Sequence, residues 1–238
     1  MTQTLTQLRT SAAPLLSTKP ADALAYYFAL EHDERRTKLF VREDSGHRPL
    51  AFVAICQTGI DLFRPLVVAR GDDSAAFQDI LREALNPRRQ YLFSVPVTLR
   101  NDLAAVASLH SESVNNVFAL SATDFDPVVN VMVQSSETPD KQLRAVIKAR
   151  DNTNAAEAGT SWLSKLYAEV YVTVLAGVRR RGLGKSCVSK VAELLFDQQK
   201  TPIYVTAQDN VASRKLAEKL GFKDTGAHEL AGAMSIES

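Results

Sequence analysis

The chain has 238 residues, 45% of them hydrophobic and 23% charged, with a formal net charge of +1. These are globular proportions that can fill a sizeable core, in one large domain or two small ones. So weak a net charge gives no field to draw nucleic acid or an anionic membrane, and neither is expected as a partner. The opening MTQTLTQLRTSAAPLL lacks the basic start and apolar block of a signal peptide, and no apolar run is long enough to span a bilayer. Cys56 and Cys187 lie far apart in apolar or helical surroundings and read as buried, reduced thiols of a cytoplasmic protein. The four histidines, His32, His47, His110 and His228, have no spacing that would hold zinc.

Residues 1–30 are expected to form two helices, the first with an apolar stripe of Leu5, Leu8, Leu15 and Leu16, the second over 22–30 after a break at Pro20. Residues 37–42 and 50–57 read as paired strands around the turn Asp44-Ser45-Gly46, and 62–69 as a third strand. A helix capped by Ser74 and ending near Leu85, a strand at 91–98, a helix over 101–109 capped by Asn101 and a strand at 114–120 complete a first half. Residues 121–127 and 135–140 are loop-like, with a strand at 128–133 between them. A boundary near Asp126 gives halves 1–126 and 127–238. The second half carries strands at 142–149, 157–163 and 167–175, a helix at 186–196, a strand at 203–207, a helix at 211–220 and a strand near 228–235. The same order of elements occurs in both halves and implies an internal duplication.

The stretch YAEVYVTVLAGVRRRGLGKSCVSKVAELLF, from Tyr167 to Phe196, organises the second half. Strand alternation puts Glu169, Tyr171 and Thr173 on one face and Val170, Val172 and Val174 on the other. Val188, Val191, Leu194 and Leu195 make one face of the following helix. The loop between, Arg179-Arg180-Arg181-Gly182-Leu183-Gly184, has the chemistry of an anion cradle. A helix start leaves N–H groups unpaired and carries partial positive charge, and glycines let a phosphate approach the backbone. A P-loop would need Gly at 179, which is Arg, and a dinucleotide fingerprint would need Gly at 187, which is Cys.

The R-x-x-G-x-G of Arg179 to Gly184 and the block NVASRKLAEKLGF from Asn210 to Phe222, each after a strand, resemble the GNAT superfamily of N-acetyltransferases. The resemblance covers the chain from about Lys141 onward. It implies an α/β (α+β) fold with a mixed, mostly antiparallel sheet flanked by helices, here as two GNAT-like halves. It also implies acetyl-CoA as co-substrate. Val172 and Val174 would then offer backbone groups to the pantetheine arm. Arg179, Arg180, Arg181, Gly182, Leu183 and Gly184 would hold the pyrophosphate, with Lys185 and Ser186 at its edge. Asn210 would contact the cofactor arm, cap the next helix, or do both, and Ser213 is a lesser cofactor contact.

The resemblance makes Glu169 the candidate general base. A carboxylate half-buried by Tyr171 and Trp162 should have a raised pKa; the competing reading is a surface Glu paired with a basic neighbour. One feature departs from the family. The Tyr that protonates the leaving thiolate, four residues before the Gly-Phe pair, is Ala217 here, and spacing selects neither Tyr204 nor Tyr171 to replace it. Two functions therefore stand side by side: an N-acetyltransferase acting on a primary amine of a small molecule or protein, or a catalytically silent acyl-CoA sensor of the same fold.

The first half has Arg70-Gly71-Asp72-Asp73-Ser74 where the phosphate loop would be, with one Gly and two carboxylates. It reads as a non-binding copy, or as an unrelated α/β half that completes the sheet. Trp162 is expected to pack, with lining an acceptor pocket as the alternative, and Asp124 and Asp126 to be solvated. Asp61 and Arg64 are further candidates for a cleft-facing position. Two sheets in one chain can satisfy the edge that would otherwise drive pairing, which favours a monomer over a homodimer.

Overall fold

A computed structural model describes residues 3–236. Its contacts form two compact units: residues up to Asn115 together with those from Ala227 onward, and Asn116–Gly226. This differs from a single cut near Asp126, because the end of the chain returns to the first unit.

The first unit begins with α1 (Leu5–Ala12), whose N-cap Thr4 and Gln7 form a reciprocal capping box. The helix expected over 22–30 is instead a 3-10 turn, a short α2 (Ala23–Tyr26) and a π turn at Tyr27–Glu31. Then come β1 (Thr37–Glu43), β2 (Pro49–Cys56), β3 (Leu66–Gly71), α3 (Ser74–Ala84), β4 (Gln90–Pro96) and α4 (Arg100–Ala104). β5 (Ser108–Ala119) begins in the first unit and ends in the second. The second unit continues with β6 (Gln134–Glu137), β7 (Leu143–Lys148), β8 (Asn154–Leu163), β9 (Tyr167–Val174), α5 (Leu183–Asp197), β10 (Thr201–Ala207) and α6 (Val211–Glu218). β11 (Lys223–Ser235) starts in the second unit and ends in the first.

The strand order is β1-β2-β3-β4-β11 in the first unit and β5-β10-β9-β8-β7-β6 in the second. Most pairings are antiparallel; β3–β4 and β9–β10 are parallel.

Patterning explains the layers. α3 buries Ala76, Phe77, Ile80 and Leu81, a helical stripe, against the first sheet. α5 buries Cys187, Val188, Val191, Ala192 and Leu195 against Ala145, Ala156, Ala158, Ala168 and Val170. So many alanines on one sheet face let this helix sit close to β7, β8 and β9. Both thiols are buried and free of disulfide; burial pushes Cys56 up to about 12 and Cys187 to about 11.

Several expected boundaries move for local reasons. Residues 128–133 form no strand; they lie across α5, with Val128 N–H donating to Ser189 Oγ at 2.8 Å, and the strand is Gln134–Glu137 instead. Asp73, not Ser74, caps α3, and Asn101 lies inside α4 and caps nothing. The strand expected from 62 starts at Leu66, because Asp61 folds the preceding loop by accepting from the N–H groups of Phe63 and Arg64. Asp61 pairs with Arg64, and Asp124 with Lys223 at 2.7 Å, so neither acid is simply solvated.

One polar cluster lies inside the first unit. The buried Arg70 on β3 donates to Glu229 at 2.6 Å, to Asp22 at 3.3 Å and to the carbonyl of Ala69 at 3.0 Å, and Ser94 Oγ donates to Glu229 at 3.1 Å. Burial raises the Glu229 pKa more than Arg70 and Ser94 lower it. Replacing Arg70 with Met would leave two inward carboxylates without their cation. This is expected to cost about 3–5 kcal/mol, read by chemical denaturation of the variant beside wild type.

Candidate active site

Each unit has a parallel strand pair that parts company. β9 and β10 pair only from Tyr167↔Thr201 to Glu169↔Ile203, although they run on to Val174 and Ala207. On its other side β9 stays paired with β8 as far as Val174↔Ala156, and Leu175 N–H donates to Ala155 O. Backbone groups alternate sides along a strand. Leu175, Thr173 and Tyr171 therefore turn theirs to β8, while Val172 and Val174 turn theirs to the gap. These are free ladder positions of the kind an extended ligand can occupy. Arg179 Nε takes up one of them, donating to Val174 O at 3.4 Å.

The gap leads to the start of α5. Arg180 and Gly182 both have positive φ, 64° and 78°. Gly182 is the N-cap and, having no side chain, caps nothing. The first N–H with an intrahelical partner is that of Ser186, donating to Gly182 O at 3.0 Å. The N–H groups of Leu183, Gly184 and Lys185 precede it, at the positive end of a 15-residue helix. Arg179, Arg180, Arg181 and Gly182 are exposed around them, and Lys185 is half-buried. Gly184 has a different reason to be glycine: a Cβ there would sit 2.9 Å from Val174 Cγ2 and 3.4 Å from Val172 and Leu216, so a side chain would lift α5 off β9.

Ser186 departs from expectation. Its buried hydroxyl turns inward, donating to Gly182 O at 3.3 Å and accepting from Asn130 Nδ2 at 3.1 Å, so it braces the loop. Asn210 is the N-cap of α6, accepting from Ser213 N–H at 3.1 Å, and is exposed. Ser213 Oγ is bonded to Tyr204 OH at 2.7 Å on β10. Ala217 is fully buried in the core.

The first unit shows the opposite arrangement at the matching place. β3 and β4 also stop pairing early, at Val68↔Ser94. There, Asp73 caps α3 by accepting from Ala76 N–H at 2.8 Å. The helix start is already answered by the chain's own carboxylate, and the opening is filled by Arg70, Glu229 and Ser94.

The sheet face opposite α5 carries the titratable groups. Trp162 Nε1 donates to Glu169 Oε2 at 2.5 Å. Burial pushes the Glu169 pKa up to about 7, against the lowering effect of that N–H. Trp162→Phe removes the donor and is expected to shift the Glu169 titration to higher pH, followed by carboxyl carbon NMR. The Tyr171 hydroxyl donates to Glu157 Oε1 at 2.8 Å. Glu157 also accepts from Arg144 Nε at 3.1 Å and from Asn154 Nδ2 at 2.7 Å. Although desolvation opposes it, these donors hold its pKa below the usual carboxylate range. Gly159 makes room for Tyr171, whose hydroxyl would lie 2.8 Å from a Cβ there. The Glu157 cluster escaped the sequence reading. The signal was its place on the same sheet face as Glu169, which needs the β8–β9 register to be seen.

An FR47-like protein family matches residues 145–230, the span from β7 to β11 that holds the opened loop and the gap. No curated protein matches the sequence. Solved structures agree over nearly the whole length. A GCN5-related N-acetyltransferase from Kribbella flavida superposes with a TM-score of 0.66 at 14% identity, over 93% of this chain and 97% of the other. The chain has the GNAT fold. A GCN5-related N-acetyltransferase-like protein from Streptococcus suis shares that fold at a TM-score of 0.63 and 13% identity, covering 97% of this chain and 100% of its own. A tandem GNAT protein from the clavulanic acid biosynthesis pathway gives 0.58 at 13% identity, covering 97% and 93%. Among the described residues, no helix is long and apolar enough to cross a membrane, and no cluster of metal-ligating side chains is found.

Proposed function

We propose that the protein is an acetyl-CoA-dependent N-acetyltransferase acting on a primary amine, with one working site in the second unit. The observation that carries this is the uncapped, glycine-opened start of α5 beside an unpaired stretch of β9, against a first unit where Asp73 already occupies the corresponding helix start. The residues suit the co-substrate: Leu183, Gly184 and Lys185 offer N–H groups, Arg179, Arg180 and Arg181 offer charge for a diphosphate, and Val172 and Val174 offer ladder positions for an extended arm.

Bound there, the thioester supplies the activated acetyl group. A β9 backbone N–H in the gap polarises the acetyl carbonyl. Glu169, with a pKa near neutrality and beside the point where β9 and β10 part, takes the ammonium proton so that the amine lone pair can attack. Asn210 and Ser213, at the start of α6 after β10, would meet the cofactor arm from that side. The thiolate that leaves is a weak enough base to need no dedicated acid, which suits a chain with Ala217 buried in the core.

Calorimetric titration with acetyl-CoA tests the binding reading, and absence of heat or of saturation would overturn it. Steady CoA release with a panel of amines tests turnover. Tight binding without release would favour the second reading, an acyl-CoA sensor, which the alanine at 217 alone supports.

A further inference from the structure

We infer that the acceptor amine carries an anionic group about 10 Å from its reacting nitrogen, received by a cleft on β6, β7 and β8. This inference rests on the proposed placement of chemistry at Glu169 and adds the class of acceptor.

The sheet of the second unit has one face covered by α5 and one polar face. Register places Gln134 and Ser136 of β6, Arg144 and Val146 of β7, Glu157 and Gly159 of β8, and Tyr171 and Thr173 of β9 on the polar face, continuous with Glu169. At its β6 edge lies a cleft of about 330 Å³, lined by Gln134, Ser135, Ser136, Arg144, Val146, Lys148 and Asn154. Among the described residues no carboxylate lines it, and two cations do.

Arg144 is bonded to Glu157 through Nε and Nη2, which leaves Nη1 outside those two bonds on a side chain that lines the cleft. Lys148 is exposed and has no ion-pair partner among the described residues. Gln134, Ser136 and Asn154 add donors. A fixed guanidinium with a spare edge, a free ammonium and neutral donors are the complement of a carboxylate or phosphate.

The register also sets the span. Arg144 lies two strands from Tyr171, and Tyr171 two residues from Glu169. With strands about 4.8 Å apart and a rise of about 3.3 Å per residue, the Arg144 and Glu169 α-carbons are about 12 Å apart. An amine nitrogen at Glu169 and an anion at Arg144 both lie between the two side chains, which leaves about 10 Å between nitrogen and anion.

The probe pair is 8-aminooctanoate and 8-aminooctanamide, equal in length and differing in one charge. Acetyl transfer by wild type is expected to show a KM for the acid at least about tenfold below that of the amide. Arg144→Gln combined with Lys148→Gln should bring the two KM values together and leave the acetyl-CoA KM unchanged. Equal KM values in wild type, or a preference that survives in the double variant, would overturn the inference. Calorimetry with 8-aminooctanoate gives a readout independent of turnover. Binding that is lost in the double variant supports the cleft even if no acetyl transfer is seen, which would be a failure of the catalytic reading alone. Binding that is absent in wild type, or equal in wild type and double variant, overturns the cleft.

Discussion

Gly182→Asp is expected to weaken acetyl-CoA binding on the order of 100-fold, measured by calorimetry, with the fold retained by circular dichroism. Two effects add. A side chain at φ +78° is strained by about 1–2 kcal/mol, because Cβ crowds the neighbouring carbonyl. The new carboxylate would also sit where Asp73 sits in the first unit, accepting from the free N–H groups at the helix start. A diphosphate arriving there would meet an occupied donor set and a like charge. Gly182→Ala separates the two effects, since it keeps the strain and omits the charge, and should lose about tenfold. Appreciable residual binding in the Asp variant would mean that the diphosphate is held elsewhere.

Glu169→Gln is expected to lower kcat by about 10²–10⁴-fold while leaving the acetyl-CoA Kd unchanged. In wild type the rate should rise with pH through about 7, as the carboxyl ionises. The variant should lack that limb. Stability moves the other way. The folded-state pKa is raised above that of the unfolded chain, so the folded chain binds this proton more tightly. Its contribution to stability is lost as pH rises from the ordinary carboxylate range through about 7. The Gln variant, which never ionises there, should therefore melt higher than wild type at pH 8. A variant with full turnover and an unaltered pH profile would remove Glu169 from the chemistry.

Much of the second unit was legible because its signals are local. The β9–loop–α5 stretch announces itself by valine alternation, by two glycines with different duties, and by a helical stripe. Asn210 reads as a cap because a cap is a short-range bond. Non-local pairing was not legible. Valines at 128–133 have strand propensity, yet Val128 and Val133 pack against the core around α5 and Val129 and Val131 are exposed, while the polar Gln134–Glu137 forms the strand, since β7 offers it an edge. The Glu157 cluster depends on the β7–β8–β9 register, and the burial of Arg70 depends on Glu229, 159 positions away. Equal element order in the two halves concealed a difference: the second unit has loop where the first has α1 and α2.

The route of the last strand has a consequence for synthesis. Residues 229–235 pair with Pro96 through Gln90, so the first unit lacks the strand beside β4 until residues 229–235 have been synthesised. Until then the nascent chain presents the bare edge of β4, with Arg70 awaiting its glutamate. The N-terminal part cannot mature ahead of the C-terminal part, as translation order would suggest. Premature termination near Gly226 should yield a product that chaperones retain and proteases clear, even though β9, the loop at 179–182 and α5 have all been made.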